Sequence, residues 1–163
     1  MFPCLDKKQN TLRKIMKIFI TGYGIFRNYP RNPSGEAVKL LQQKLQNSSN
    51  PRFENIEFVI EPELKVTYEA IDALKYPDDC DIVINVGVSC KANTLLTLET
   101  QACKLGYTKL DVAGCIKDTE SCNGEMAQNC TEFTEVDVDK IVEGMQGVAV
   151  KSTLRFKNRE TCF

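Results

Sequence analysis

Histidine is absent from all 163 residues of this chain. Imidazole is the side chain most often used as a general base near neutral pH, so chemistry that depends on it is excluded for these residues. Long apolar runs are also missing. No stretch reaches the ~18 residues that read as a membrane span. Met1 to Ile15 carries Asp6, Lys7, Lys8, Arg13 and Lys14 where a secretory signal would carry a continuous apolar segment. Positive charge is not in excess: the net charge is -1 and the pI about 5.6. That leaves no footprint for nucleic acid and no polybasic patch for a membrane surface, so neither partner is expected. No C-x-x-C pair occurs, and Cys115, Cys122 and Cys130 are spaced too loosely for a standard zinc site. Neither metal nor cofactor is expected.

What is present is ordinary for a globular protein: 42% hydrophobic and 26% charged residues. The length predicts one domain with a substantial core. Eight cysteines without a secretory signal predict free thiols in a reducing, cytoplasmic compartment. The sequons at Asn47 and Asn129 read as accidental in that setting.

Residues 1–15 are polar and unpatterned, and predict an unstructured leader. From Lys17 the pattern changes. Lys17 to Thr21 reads as a buried strand, broken by Gly22-Tyr23-Gly24. Asn32-Pro33-Ser34 reads as a helix start with Ser34 as N-cap, followed by Ala37, Leu40, Leu41 and Leu45 at helical spacing. Asn47 to Pro51 ends that helix in a surface loop. Ile56 to Ile60 predicts a second strand, Tyr68 to Leu74 a second helix, and Pro77 to Asp81 a turn. Ile82 to Gly87 is apolar on both faces and predicts a central parallel strand. Thr94 to Glu99 is rich in β-formers, Asp111 to Glu132 has the composition of a long loop, and Val136 to Met145 predicts a helix with Val138, Ile141, Val142 and Met145 on one face. Val148 to Val150 is a last short strand. Strands alternating with helices predict an α/β sheet covered on both faces.

Sites in open α/β sheets lie beyond the carboxyl ends of strands. Three segments sit there: Thr21 to Phe26, Gly87-Val88-Ser89, and the region after Val148 to Val150 that contains Cys162. A Gly-x-Gly after a strand could be a dinucleotide loop. Here Phe26 and Arg27 occupy the place of its third glycine, and no acidic residue ends the second strand.

Four stretches, in order, carry a resemblance. Phe19 to Phe26 resembles an opening strand with a G-F-G-x-F loop. Asn32-Pro33-Ser34 with Ala37-Val38 resembles an N-P-S-x-x-A-V helix start. Ile84 to Ser89 resembles an H-V-G-V-[SG] strand. Leu96 to Glu99, then Gly106-Tyr107 and Leu110-Asp111, resembles a segment that carries a catalytic glutamate. Together they make residues 16–163 similar to the N-terminal two-thirds of the pyroglutamyl-peptidase I family, cysteine peptidases with a Cys/His/Glu triad. The resemblance implies a three-layer α/β/α fold with a mixed, mostly parallel sheet, phosphorylase/hydrolase-like, here incomplete and C-terminally truncated with the last elements missing.

The resemblance also implies an activity, removal of an N-terminal pyroglutamyl residue from peptides by thiolate attack, and hence pyroglutamyl peptides as partners. It places Glu99 as the carboxylate that orients the imidazole, and Tyr23 and Phe26 as an apolar wall for the lactam ring. Tyr23 replaces the usual phenylalanine, so its hydroxyl must find a partner. Cys162 matches the nucleophile only through Arg159-x-x-Cys162. The Asp-Ala-Gly of the family's S-x-D-A-G-R-Y-L-C elbow is missing, and with it glycine's backbone freedom. The other seven cysteines read as buried or loop thiols. With no histidine, the chain as written is expected to lack appreciable peptidase activity. A catalytically dead pseudoenzyme or a pyroglutamyl-binding module is the alternative reading, and a truncated product without a function of its own is a third. The oligomeric state is not legible.

Overall fold

The β-branched run after Met16 forms β1 (Met16–Tyr23), and the polar-apolar alternation after Asn55 forms β2 (Ile56–Leu64). With β3 (Ile82–Asn85) they make a parallel sheet in the order β2-β1-β3. The protein is seen here as a computed structural model that describes residues 14–26, 30–88, 96–103, 106–117, 131–145, 147 and 150–153. Among the described residues β1, not β3, is the central strand of this sheet. Val83 and Ile84 of β3 are each 42% exposed, against a full core expected for a central strand. An apolar run on both faces is compatible with a buried strand but does not place it within the sheet.

α1 (Pro33–Gln46) covers one face. Ile18 and Ile20 of β1 meet Val38 of α1, which is 1% exposed, and Ile56, Phe58, Ile60, Ile82 and Val86 pack around them. The buried stripe of the helix thus runs through Ser34, Gly35 and Val38 rather than through Ala37, Leu40 and Leu41, which are exposed. The approach is close. A Cβ on Gly35 would stand 2.5 Å from the Tyr23 carbonyl oxygen and 2.9 Å from that of Pro62. Only glycine lets the helix backbone lie on the strand ends here.

β1 and β2 run in register from Met16↔Ile56 to Thr21↔Glu61, and then shift so that Tyr23 faces Leu64. One residue of β1 therefore opposes two of β2, a β-bulge that contains Pro62. On the other face, Phe19 packs edge-on against Tyr76, with ring centroids 5.3 Å apart. The short α2 (Tyr68–Asp72) follows, capped by Thr67.

β4 (Leu96–Glu99) pairs in parallel with β7 (Val150–Thr153). β5 (Gln101–Cys103) pairs antiparallel with β6 (Thr131–Phe133), which the sequence reading did not anticipate. α3 (Val138–Gly144) is capped by Asp137 and is shorter than its periodic pattern suggested. The described sheets are mixed and mostly parallel, as expected of an α/β fold.

The first part of the expected loop, residues 111–117, is organised by one buried carboxylate. Asp111 accepts from the backbone N–H groups of Tyr68 (3.0 Å), Ala113 (2.8 Å) and Cys115 (2.9 Å). Gly114, at φ 80°, closes that turn. Among the described residues no helix is long and apolar enough to cross a membrane, and no group of three or more His, Cys, Asp or Glu could hold a metal ion.

Candidate functional site

The carboxyl end of β1 runs into the loop that carries Tyr23 and Phe26, and that loop is fastened on three sides. Ser34 Oγ accepts from the Tyr23 N–H at 3.2 Å. Asn32 Nδ2 donates to the Gly24 carbonyl at 2.8 Å. The Gly24 N–H donates to the Leu64 carbonyl at 2.9 Å. The N-cap of α1 is therefore Asn32, two residues earlier than expected at Ser34. Asn32 Oδ1 accepts from the Ser34 N–H (3.0 Å) and hydroxyl (2.7 Å). Both residue types cap helices, and proline at the first helical position moves the cap to the residue before it. Asn32-Pro33-Ser34 thus does two jobs: it starts the helix and ties the helix to the loop.

Tyr23 and Phe26 are both half-buried in this one loop. Burial pushes the Tyr23 phenol above its ordinary range, against a hydrogen bond with the Thr21 side chain that pulls the other way; Tyr76 nearby adds to the rise. Thr21 is fully buried and donates to Asn85 Oδ1 at 2.6 Å across to β3. Neither Thr21 nor Asn85 stood out in the sequence. The link joins positions 64 residues apart, and only the strand register Thr21↔Asn85 brings them together.

Glu99 is placed differently. It is the exposed last residue of β4, level with Thr153 of β7, on a separate two-stranded sheet. It thus stands at the carboxyl end of a parallel pair, where sites in α/β folds are built. Cys162 and Ser89 lie outside the described residues. A cleft of about 200 Å³ opens elsewhere, between α2 and the β5–β6 pair, lined by Tyr68, Ile71, Cys103, Tyr107, Lys117 and Glu132 among others. It contains none of the site residues read from the sequence.

Comparison with solved structures finds pyroglutamyl peptidases over 85% of the chain. The chain is similar to pyroglutamyl peptidase I of Bacillus amyloliquefaciens at 23% identity, with a TM-score of 0.63 over 85% of this chain and 65% of that one. The fold is that of pyroglutamyl peptidase I. The pyrrolidone carboxyl peptidase of the keratin-degrading bacterium Fervidobacterium islandicum matches at 21% identity and a TM-score of 0.64, over 85% of this chain and 64% of that one. A mutant pyrrolidone carboxyl peptidase from Pyrococcus furiosus matches at 18% and 0.61 over the same shares. No protein-family model and no curated protein sequence matches the chain. The likeness to the pyroglutamyl peptidase fold therefore rests on structure, and the chain spans about 65% of the length of the first of these structures.

Proposed function

We propose that this is a pyroglutamyl-peptidase-like protein of the cytoplasm whose β1 loop receives an N-terminal pyroglutamyl residue. The observation that supports this reading is the shared fold, with Tyr23 and Phe26 on the loop after the first strand. In this reading Tyr23 and Phe26 wall the lactam ring, Glu99 is the orienting carboxylate and Cys162 occupies the nucleophile's position.

Turnover is a separate matter. A thiolate needs a base to form and a proton donor for the departing amine. None of the 163 residues is a histidine. When a triad acts as a unit, loss of one member costs on the order of 10^6 in kcat. The second reading, a binding module without catalysis, follows for these 163 residues.

The test uses the purified 163-residue chain with a fluorogenic pyroglutamyl amide and, in parallel, titration with a pyroglutamyl dipeptide followed by NMR. Saturable binding without release of the fluorophore is expected. Release that stops on thiol alkylation would overturn the non-catalytic reading. Absence of any binding would overturn pyroglutamyl recognition.

A further inference from the structure

Asn32 stands where the chain enters α1, and its amide is held in one sense by backbone groups that cannot reverse. The Ser34 N–H can only donate, and it donates to Asn32 Oδ1 at 3.0 Å. The Gly24 carbonyl can only accept, and it accepts from Asn32 Nδ2 at 2.8 Å. The amide oxygen therefore faces the helix and its nitrogen faces the loop. The buried Ser34 hydroxyl closes the circuit. It accepts from the Tyr23 N–H at 3.2 Å, and its own proton is donated to Asn32 Oδ1 at 2.7 Å. Two side chains at the start of α1 thus grip the loop at the Tyr23 N–H and the Gly24 carbonyl, within the stretch that carries both aromatic rings.

A helix cap alone does not call for asparagine. Aspartate and serine cap helices about as well. Neither of them joins an acceptor for the helix to an N–H donor for the loop. What asparagine adds at this position is the bond to Gly24. We infer that Asn32 is a positioning residue: through the Gly24 carbonyl it sets the β1 loop, and with it Tyr23 and Phe26, against the start of α1. The helix is a firm reference, because at Gly35 it lies too close to the Tyr23 and Pro62 carbonyls to admit a Cβ. The loop then takes its place from the helix rather than from its own chain, and a site held by packed elements keeps its geometry. This rests on the reading of the β1 loop as a pyroglutamyl site and adds to it the side chain that keeps that site in shape.

Asn32→Asp separates the two jobs. It keeps the oxygen that caps the helix and sets a second oxygen, ionised at neutral pH, against the Gly24 carbonyl. Asn32→Ala removes cap and tether together. Amide hydrogen exchange and titration with pyroglutamamide, both followed by NMR, are measured on the 163-residue chain and on each variant. In Asn32→Asp the Tyr23 and Gly24 N–H groups are expected to exchange about tenfold faster, and the dissociation constant for pyroglutamamide to rise by a similar factor, the order of one hydrogen bond. Exchange within α1 is expected to stay as it was. Asn32→Ala is expected to speed exchange in the first turn of α1 as well. A residue that only caps the helix would leave Asn32→Asp equal to the unaltered chain in both measurements, and that result overturns the proposal. Faster exchange in the loop with an unchanged dissociation constant also overturns it, because the tether then does not set the site. If the unaltered chain does not bind pyroglutamamide, the pyroglutamyl reading falls, and the exchange rates alone decide whether Asn32 holds the loop.

Discussion

The β2-β1-β3 sheet and the β4–β7 pair are made from similar runs of Ile, Leu, Val and Thr, yet among the described residues only the first shows a dense core. Ile18, Phe19, Ile20 and Val38 are buried in the one, whereas Leu96 at the start of β4 is 47% exposed. The difference lies in what covers each. α1 reaches β1 because two glycines, Gly22 and Gly35, remove the side chains that would hold the backbones apart. Its capping residues then bond the loop that follows the strand. A β-branched run makes a strand, but a core forms only where another element is allowed to come close. The candidate site divides along the same line: its aromatic groups stand at the end of the packed sheet, and Glu99 stands exposed on β4.

The largest effect should come from filling the helix–strand contact. Gly35→Val would drive a side chain into two backbone carbonyls, and backbone cannot swing aside as a flexible side chain can. A loss of about 3 kcal/mol or more is expected, read as a lower thermal midpoint, together with loss of ligand binding through the displaced Tyr23 loop. A smaller loss, about 2 kcal/mol, is expected for Val38→Ala, which empties the centre of the first core. Val138→Ala in α3 sharpens the comparison. Val138 is 8% exposed against 1% for Val38, so about 1 kcal/mol is expected. Equal losses at Val38 and Val138 in urea melts would break the contrast between the two regions.

Asp111 should show itself through acid. Its carboxyl is held below the ordinary range first by the Cys115 N–H, with the Tyr68, Ala113 and Gly114 N–H groups adding to this and burial opposing it. Its contribution to stability is therefore complete above the unfolded value, near 3.9. It is lost as pH falls through the lower folded value. Asp111→Asn should weaken the protein at neutral pH and flatten the fall in stability below about pH 4. An unchanged acid limb would assign that fall to other carboxylates. The smallest effect is expected at Leu40, which is 53% exposed on the outer side of α1: Leu40→Gln should stay within about 0.5 kcal/mol.

What was legible in the sequence was local. β1, α1, β2 and α2 declare themselves through period and capping residues within a few positions of each other. The errors are where position depends on distant partners. The run at Ile82 reads as a strand from its own residues, but its rank in the sheet is decided by which neighbours it finds. Helical spacing puts the α1 stripe on its leucines, whereas the helix turns Val38 inward because Gly22 and Gly35 set the direction of contact. β5 and β6 are three residues each and far apart in the chain, too short to show a period. Tyr23, Phe26 and Glu99 enter as candidates from the segments that carry the resemblance. Thr21 and Asn85 do not, because each looks like an ordinary strand residue until the register is known.

The bulge opposite Gly22 has a consequence for charge. Had β2 continued in its first register, the residue beside Tyr23 would be Glu63. The extra residue shifts the pairing by one, and half-buried Leu64 takes that place. Glu63 turns instead to the outer side, where Lys39 meets its carboxylate at 2.5 Å. A single inserted position thus clears an anion from the neighbourhood of the aromatic loop and gives it to a lysine on the helix. Deleting Pro62 would remove the bulge without undoing this: Glu63 would face Gly22, and Leu64 would still stand beside Tyr23.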